Sequence, residues 1–301
     1  MKKNKISRYI DSLRGIENKT VIITGANSGL GFEMAKVALL KGAKVIMACR
    51  NFERAESAKT KLIDETGSQN IVIELYDQSD VKSIQHFAKL IKDKYSDFYA
   101  LILNAGIFLP NDIIDEFHVS TVYRTNFIGI YILLKCLKDF LDDVDEEKRI
   151  IIQGSMSSYF YKYKNKDKFI FGEDKPLKQY SLSKLCCTNL FAHYRDNNLN
   201  HHVKYLLCEP GIATTDIFRN FKKWFKIISR PFFVIFTNSA LEGSLSGCKL
   251  MCDATANGDY YRPRHLFAAK GLPKKSQLPT KLINKDIIRD AKEMTDMYES
   301  K

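Results

Sequence analysis

The chain has 301 residues, a formal net charge of +12 at pH 7, and a hydrophobic fraction of 45%. This composition excludes an intrinsically disordered protein, and the length suits one large α/β domain with a buried core. The lysines are spread along the chain without a nucleic-acid motif, and the seven cysteines show no metal-ligand spacing; we therefore expect no nucleic-acid partner, no metal site and reduced thiols in a cytoplasmic protein.

The amino-terminal segment is basic and of mixed composition over residues 1–16. It lacks the apolar stretch of a secretory signal, and no apolar run in the chain approaches the ~20 residues that cross a bilayer. We therefore predict a basic extension over 1–16, followed by one domain over 17–301.

Short apolar runs alternate with amphipathic segments along most of the chain. Six runs rich in Val, Ile and Leu predict strands at 20–24, 44–48, 71–76, 100–103, 149–153 and 203–208. Their near-continuous apolar character is typical of parallel strands that are covered on both faces. Helical periodicity predicts helices near 29–41, 52–65, 80–94, 115–140 and 180–196. This order predicts a single α/β domain with a Rossmann-type, doubly wound parallel sheet and helices on both faces.

A glycine-rich turn follows the first predicted strand, with the sequence TGANSGLG over residues 24–31. Its glycines permit a tight strand-to-helix turn and a close approach of the backbone to a pyrophosphate. The free N–H groups at the start of the following helix favour the same anion. The predicted cofactor-binding residues of this turn are Gly25, Asn27, Ser28, Gly29, Leu30 and Gly31.

The second predicted strand is followed by Arg50 and Asn51. An acidic residue at this place would bind the ribose 2′-hydroxyl of NAD, and none is present. The planar, permanently charged guanidinium of Arg50 suits a 2′-phosphate instead, and Arg54 lies one helical turn further on. We therefore predict NADP(H) as the cofactor. The alternative is a solvated Arg50 in a protein whose cofactor preference is set elsewhere.

Tyr180 and Lys184 are the residues that most clearly indicate chemistry. They are four residues apart, which places them on one face of a helix, one turn from each other. A free tyrosine hydroxyl has a pKa of ~10, and a nearby ammonium stabilises the phenolate. Tyr-x-x-x-Lys is common by itself, but together with the glycine turn it predicts a nicotinamide-dependent oxidoreductase with Tyr180 as the acid/base.

The motifs together resemble the short-chain dehydrogenase/reductase family, over about residues 17–300. The glycine turn is similar to the family's T-G-x-x-x-G-x-G motif, residues 104–106 to its Asn-Ala-Gly motif, and residues 210–211 to its Pro-Gly motif. The resemblance implies further contacts with the adenine ring, the ribose and the nicotinamide. The implied residues are Asp77, Asn104, Ala105, Gly106, Tyr180, Lys184, Pro210, Gly211, Ile212 and Thr215, with Thr214 as an alternative to Thr215.

The resemblance also implies a catalytic set. Ser155 matches the family's serine that hydrogen-bonds the substrate carbonyl, with Ser157 and Ser158 as alternatives. Asn126 matches the helix asparagine that holds a water for a proton relay through the lysine. The expected catalytic residues are therefore Asn126, Ser155, Tyr180 and Lys184.

Within the family, residues 45–51, residues 210–215 and a helix near 286–298 are similar to retinol dehydrogenases and light-dependent protochlorophyllide reductases. The resemblance to these two enzyme classes implies NADP(H) and a large, apolar, membrane-borne substrate. Leu103 stands where the protochlorophyllide reductases have a cysteine, so a retinol-dehydrogenase-like carbonyl reductase is the expectation.

An aromatic and basic segment follows the sixth strand. It predicts a substrate lid at about 214–238, with Trp224 and Phe225 as substrate contacts. A peripheral membrane contact through 218–236 is compatible with a lid, and an ordinary amphipathic helix packed on the core is the alternative. The sequence is also compatible with a homo-oligomer.

Two functions from different classes fit these observations. The first is an NADP(H)-dependent oxidoreductase that transfers hydride between the nicotinamide and an alcohol/carbonyl pair, on a retinoid- or lipid-like substrate. The second is a catalytically silent NADP(H)-binding sensor or interaction protein on the same fold. A silent protein would be free to lose catalytic side chains, and all four are present. A sugar-nucleotide epimerase is disfavoured, because it would use the G-x-G-x-x-G spacing.

Overall fold

One eight-stranded sheet organises the residues that the computed structural model describes, which are 2–108, 113–163, 176–212, 238–265 and 268–299. The strand order is β3-β2-β1-β4-β5-β6-β7-β8. The first seven strands are parallel, and β8 pairs antiparallel with β7. The predicted doubly wound α/β sheet is therefore confirmed.

The element bounds agree closely with the predicted pattern over the first two thirds of the chain. The strands are β1 (Thr20–Thr24), β2 (Lys44–Cys49), β3 (Ile71–Leu75), β4 (Ala100–Leu103), β5 (Lys148–Gln153), β6 (Val203–Cys208), β7 (Tyr260–His265) and β8 (Lys270–Ser276). The longer helices are α1 (Lys2–Ser12), α2 (Gly29–Leu40), α3 (Phe52–Thr66), α4 (Val81–Lys94), α5 (Gly129–Asp143), α6 (Pro176–Asp196), α7 (Ala240–Cys252) and α8 (Asp286–Glu299).

Successive residues of the central strands pack into two separate cores, one on each face of the sheet. Ile22 of β1 packs into the cluster on one face of the sheet, whereas Val21 and Ile23 pack into the cluster on the other face. Every residue of β1 and β4 is buried. Burial on both faces explains why these strands read as continuous apolar runs rather than as alternating ones.

The amino-terminal segment contains a helix that packs on this domain. Tyr9 and Ile10 of α1 lie against the second core cluster, and Leu13 and Ile16 are buried within it. The backbone N–H of Arg14 donates to Asp253 Oδ1. Among the described residues, no helix is both long enough and apolar enough to cross a membrane.

Two features differ from the sequence-based expectation. The helix predicted from residue 115 begins with a short turn, Thr121–Tyr123, and passes through a π-helical segment, Arg124–Ile128, into α5. Strands β7 and β8 were not predicted, because their sequences are polar and contain prolines. Pro263 and Pro273 face each other in this pair, and proline and lysine are typical of strands at a sheet edge.

Candidate active site

The glycine turn lies between β1 and α2 and has the geometry of an anion-binding turn. Gly25 and Gly29 have positive φ angles of 67° and 57°, which residues with a Cβ atom adopt rarely. A Cβ atom on Gly31 would lie 2.4 Å from the Gly25 carbonyl oxygen. Ser28 precedes α2 without capping it through its side chain. The first N–H groups of α2 are therefore available to a phosphate.

The Asn-Ala-Gly segment after β4 is attached to this turn by hydrogen bonds. The backbone N–H groups of Asn104 and Ala105 donate to Thr24 Oγ1 at 3.0 and 2.9 Å. The side-chain amide of Asn104 donates to the Thr24 carbonyl at 2.9 Å. The two predicted cofactor segments thus form one rigid edge of the sheet.

Arg50 extends from the end of β2 with 70% of its side chain exposed, and its Nε lies 3.9 Å from Asp77 Oδ2. Asn51 instead caps α3 by accepting a hydrogen bond from the Arg54 N–H at 2.8 Å. Asp77 accepts hydrogen bonds from the N–H and the hydroxyl of Ser79. Of these predicted residues, Arg50 is the one whose charged group is most exposed to an incoming ligand.

A cavity of about 600 Å³ lies beside the glycine turn and extends between α2 and α3. Its wall includes Asn27, Ser28 and Gly29 of the turn together with Arg54 and Lys61 of α3. Glu53 and Glu65 also line the cavity and offset the charge of the two cations, so the free N–H groups at the start of α2 are the feature that suits a phosphate. The residues present therefore fit the adenosine half of a nicotinamide cofactor.

Lys184, Asn126 and Gly106 meet at the carboxyl ends of β4 and β5. Lys184 is buried, and its Nζ donates to the Gln153 carbonyl at 3.1 Å. A Cβ atom on Gly106 would lie 3.2 Å from Asn126 Oδ1 and 3.4 Å from Lys184 Nζ. Three segments that are far apart in sequence are therefore in contact here, next to Tyr180.

Asn126 lies in the π-helical segment, a conformation that is frequent at functional sites. Its Oδ1 accepts from the Ile107 N–H at 2.7 Å, and its Nδ2 donates to the Ile107 carbonyl at 2.9 Å. The same Nδ2 donates to Ser183 Oγ at 3.1 Å, and the Ser183 hydroxyl donates to the Tyr180 carbonyl at 2.8 Å. Ser183 therefore connects Asn126 to the helix that carries Tyr180.

Gln78 and Ser183 are supporting residues that sequence reasoning missed. Gln78 is buried, and its side-chain amide donates to the carbonyls of Ala105 and Thr125 at 3.0 and 2.7 Å. A glutamine in a loop carries no pattern that predicts such bonds. Ser183 lies directly before Lys184, and its place on the buried side of the helix is the one signal that could have found it.

Ser155 lies two residues after the end of β5 and caps a 3₁₀ turn, Met156–Phe160. Its Oγ accepts from the N–H of Ser157 at 3.2 Å and from the Ser157 hydroxyl at 3.0 Å. Tyr180 is half-buried on α6, and its ring meets the ring of Phe108 edge-on at 5.7 Å. Ser158 is fully buried, which makes it the least accessible of the three serines.

The loop after β6 is held by the chain that leads into β8. Gly211 has a φ of 70°, and a Cβ atom there would lie 2.3 Å from the Ala269 carbonyl oxygen. The Ile212 N–H donates to that oxygen at 3.0 Å, and the Asn238 side chain donates to the Pro210 carbonyl at 2.8 Å. The predicted residues Thr214, Thr215, Trp224 and Phe225, and the segment 218–236, lie outside the described residues.

Glu209, directly before Pro210, is a buried acid that sequence reasoning did not single out. Only 1% of it is exposed, and neither carboxyl oxygen makes a hydrogen bond within the described part of the chain. Burial raises the pKa of Glu209 from 4.5 to about 7, while the Tyr260 hydroxyl and the Arg262 charge oppose part of that rise. A buried carboxyl group at the carboxyl end of a strand, with its pKa raised toward neutrality, is a candidate for a functional role.

Substitution of this carboxyl group tests its burial. Below the unfolded-state pKa of 4.5 both states are protonated, and between 4.5 and about 7 only the folded state holds the proton. The contribution of Glu209 to the free energy of unfolding therefore falls as the pH rises through this window. We expect the free energy of unfolding of Glu209→Gln, relative to that of the wild type, to increase by on the order of 3 kcal/mol between about pH 5 and about pH 8. Urea unfolding at both pH values measures the difference, and parallel pH profiles of the two proteins would contradict it.

Comparison with known proteins agrees with this geometry. The profile of the short chain dehydrogenase family matches residues 19–226. The chain is 32% identical over 231 residues to a WW domain-containing oxidoreductase of Gallus gallus, an alignment that covers 73% of this chain and 55% of that protein. It is 34% identical over 128 residues to retinol dehydrogenase 11 of Homo sapiens, covering 41% of this chain and 40% of that protein. The chain thus spans about half the length of the curated relatives it matches.

Solved structures share the fold at low sequence identity. An uncharacterized protein from Mycobacterium paratuberculosis matches with a TM-score of 0.73 at 20% identity, over 97% of both chains. A short chain dehydrogenase from Shigella flexneri, complexed with NADP, matches with a TM-score of 0.59 at 19% identity, over 80% of this chain and 94% of that one. The strand order, the glycine turn and a family profile that covers more than half of the residues lead to one conclusion: the chain belongs to the short-chain dehydrogenase/reductase family.

Proposed function

We propose that this protein is an NADP(H)-dependent oxidoreductase that interconverts an alcohol and a carbonyl compound, with Tyr180 as the acid/base. The observation that carries the proposal is the meeting of Lys184, Asn126 and Gly106 at the sheet edge, beside Tyr180. A buried ammonium one helical turn from a half-buried tyrosine is the arrangement that a proton-donating phenol needs.

NADP(H) is the cofactor that the charged groups favour. Arg50 presents its guanidinium at the end of β2, and Arg54 and Lys61 line the neighbouring cavity. A 2′-phosphate would offer anionic oxygens to the planar fork of Arg50, whereas the ribose hydroxyls of NAD are neutral and the contact of Arg50 with Asp77, at 3.9 Å, is long for an ion pair. The NADP bound to the Shigella flexneri neighbour supports this choice.

The cofactor supplies hydride chemistry when bound, and the residues of this chain supply the proton and the orientation. Ser155 and Tyr180 hydrogen-bond the carbonyl oxygen of the substrate, and Tyr180 donates its proton as negative charge develops there. The Lys184 ammonium stabilises the resulting phenolate. In the structure described, the Gln153 carbonyl holds Lys184 Nζ at 3.1 Å, so the ammonium is already directed to the sheet edge.

We assign to Asn126 the role of holding the water molecule that returns a proton to Tyr180 through Lys184. Its side-chain amide is already bonded to Ile107 and Ser183. The main-chain carbonyl is therefore the group assigned to the water. That carbonyl accepts from the Cys187 thiol at 3.0 Å, and the water would be a further donor to it.

A large apolar substrate is the class that we propose. Phe160, in the turn that Ser155 begins, and Leu177, three residues before Tyr180, are 73% and 62% exposed. Large apolar side chains that remain exposed next to polar catalytic groups indicate a binding surface rather than a core. The named activity of retinol dehydrogenase 11, a relative with 34% identity, supports a retinoid- or lipid-like alcohol/carbonyl pair.

The aromatic segment after β6 is proposed to contact this substrate. We expect Trp224→Ser combined with Phe225→Ser to raise the KM for apolar carbonyls about tenfold, because two large apolar contacts are removed. The KM for NADPH and the melting temperature should be unchanged. Steady-state kinetics over a series of aldehydes of increasing chain length measures the effect. An equal KM in the variant and the wild type, with an intact fold, would refute the substrate-lid assignment.

The experiment that tests the function is oxidation of NADPH and NADH by the purified protein against apolar aldehydes and ketones, including retinal. Turnover with a preference for NADPH supports the enzyme. NADPH binding without turnover of any compound would favour the alternative, a catalytically silent NADP(H)-binding sensor or interaction protein.

A further inference from the structure

The buried acid Glu209 has no part in the mechanism above, yet it lies against the catalytic serine segment. A Cβ atom on Gly154, the residue before Ser155, would lie 3.4 Å from Glu209 Cγ. The Glu209 N–H donates to the Tyr261 carbonyl at 3.0 Å, which fixes the backbone of Glu209 to β7. The acid is therefore held between the end of β5 and β7.

A pair of tyrosines and an arginine surround this acid. The hydroxyls of Tyr260, on β7, and Tyr159 share a hydrogen bond of 3.2 Å. The Arg262 guanidinium donates to the Tyr159 hydroxyl at 3.0 Å and lies 5.7 Å from the centroid of each tyrosine ring. Tyr260 is 1% exposed, and burial, followed by the charge of Glu209, raises the pKa values of both tyrosine hydroxyls.

Tyr159 belongs to the turn Met156–Phe160 that Ser155 caps. The Ser158 N–H donates to the Ser155 carbonyl at 3.1 Å, so the turn and the serine are one hydrogen-bonded unit. The hydroxyl of Tyr159 is the point at which β7 holds this unit.

We propose that Glu209 is a positioning residue for Ser155, acting through Tyr260, Arg262 and Tyr159 on the turn that Ser155 caps. The inference rests on the proposed function, because it assigns Ser155 to the substrate carbonyl. While the carboxyl group is neutral, Arg262 and Tyr260 are free to bond Tyr159. An ionised Glu209 attracts both groups and competes with Tyr159 for them. The turn then loses the bonds that hold it, and the Ser155 hydroxyl is less well placed.

The groups that face Glu209 allow this competition to be isolated. Among the residues that the structure describes, they are Tyr159 on the turn, Tyr260 and Arg262 on β7, and the buried thiol of Cys208 on β6. Arg262 is the one permanent charge among them, and its Nε also donates to Ser276 Oγ at 3.2 Å. Glu209 is the one carboxyl group of this set, so its neutral amide analogue removes the competition and retains the shape.

The test uses one carbonyl compound that the wild-type enzyme reduces. Its kcat and KM are measured at about pH 6 and about pH 8.5, in wild type, Glu209→Gln and Tyr159→Phe. The wild-type KM should rise about tenfold across this range, as expected for the loss of one hydrogen bond. Glu209→Gln should keep the low KM at both pH values. Tyr159→Phe should show the high KM at both. The Kd for NADPH, from nicotinamide fluorescence, should be the same in all three proteins.

The control variant is Glu147→Gln, which removes a carboxyl group that binds Arg149 and Lys204 at the opposite end of β5. It should retain the wild-type pH dependence of KM. A KM that does not change with pH in the wild type, or that still rises in Glu209→Gln, would overturn the proposal.

A second readout separates this inference from the function on which it rests. Hydrogen exchange of the peptide over 155–163, corrected for the intrinsic rate at each pH, should show protection that falls with rising pH in wild type and stays constant in Glu209→Gln. Equal loss of protection in the two proteins overturns the inference. Absence of turnover with every carbonyl compound tested counts against the proposed function alone, and the exchange result then decides the role of Glu209.

Discussion

Replacement of Tyr180 with phenylalanine is expected to lower kcat about a thousandfold while the Kd for NADPH stays within twofold of wild type. In the proposed reaction the Tyr180 hydroxyl donates the proton, and the aromatic ring takes no part. Phenylalanine keeps the edge-on contact with Phe108 at 5.7 Å. The Tyr180 hydroxyl makes no hydrogen bond to the residues that the structure describes, so its removal leaves no unpaired group in the folded protein. Single-turnover kinetics with NADPH and an active carbonyl compound measures the loss.

The matched control is Tyr194→Phe on the same helix. Tyr194 stacks on Tyr205 at a ring distance of 5.1 Å, away from Lys184. We expect this variant to keep wild-type turnover, because its hydroxyl has no part in the reaction. A Tyr180→Phe protein that retains turnover would refute the assignment of the acid/base, and loss of NADPH binding would show that the main role of the Tyr180 hydroxyl is to hold the cofactor.

Replacement of Arg50 with aspartate is expected to invert the cofactor preference. The KM for NADPH should rise about a hundredfold, the size expected for the loss of a charge-assisted hydrogen bond with the 2′-phosphate. The KM for NADH should fall, because a carboxylate at the end of β2 accepts a hydrogen bond from the ribose 2′-hydroxyl. Initial rates with both cofactors, at a fixed carbonyl concentration and at two salt concentrations, give the ratio.

Two further variants separate the geometry of the guanidinium from its charge. Arg50→Lys keeps the charge but loses the planar fork, and we expect an intermediate KM for NADPH. Lys19→Asp makes the same charge change at the amino end of β1, at the opposite edge of the sheet, and should leave the cofactor ratio unchanged. An unaltered NADPH preference in Arg50→Asp would show that the preference is set elsewhere.

Local pattern was sufficient for most of the fold. Six strands appeared as apolar runs because burial on both faces favours apolar residues at successive positions, as in Val21–Ile23 of β1 and throughout β4. Strands β7 and β8 were not predicted, because they contain Pro263, Pro273 and several cations instead of an apolar run. A polar edge strand and a loop have similar compositions, and only pairing with a neighbour distinguishes them.

The helix that carries Asn126 shows a second limit. Periodicity placed its start near residue 115, but the chain becomes helical at Thr121 and opens into a π-helical segment at Arg124. The segment before it is held by a bridge between Ile114 and Ser120. A π-helical segment is stabilised by particular tertiary contacts, here between Asn126 and the backbone of Ile107, and periodicity cannot reveal those.

The sequence by itself determined the positions of the first six strands, the glycine turn and the Tyr180–Lys184 pair, because each depends on a pattern within a few residues. The tertiary structure alone decided which distant side chains meet. Gly106, Asn126 and Lys184 come together from three elements. Glu209 is buried beside Tyr260, Arg262 and Tyr159 from three others. Contacts between residues so far apart depend on how the elements pack, and packing leaves no periodic signal in the chain.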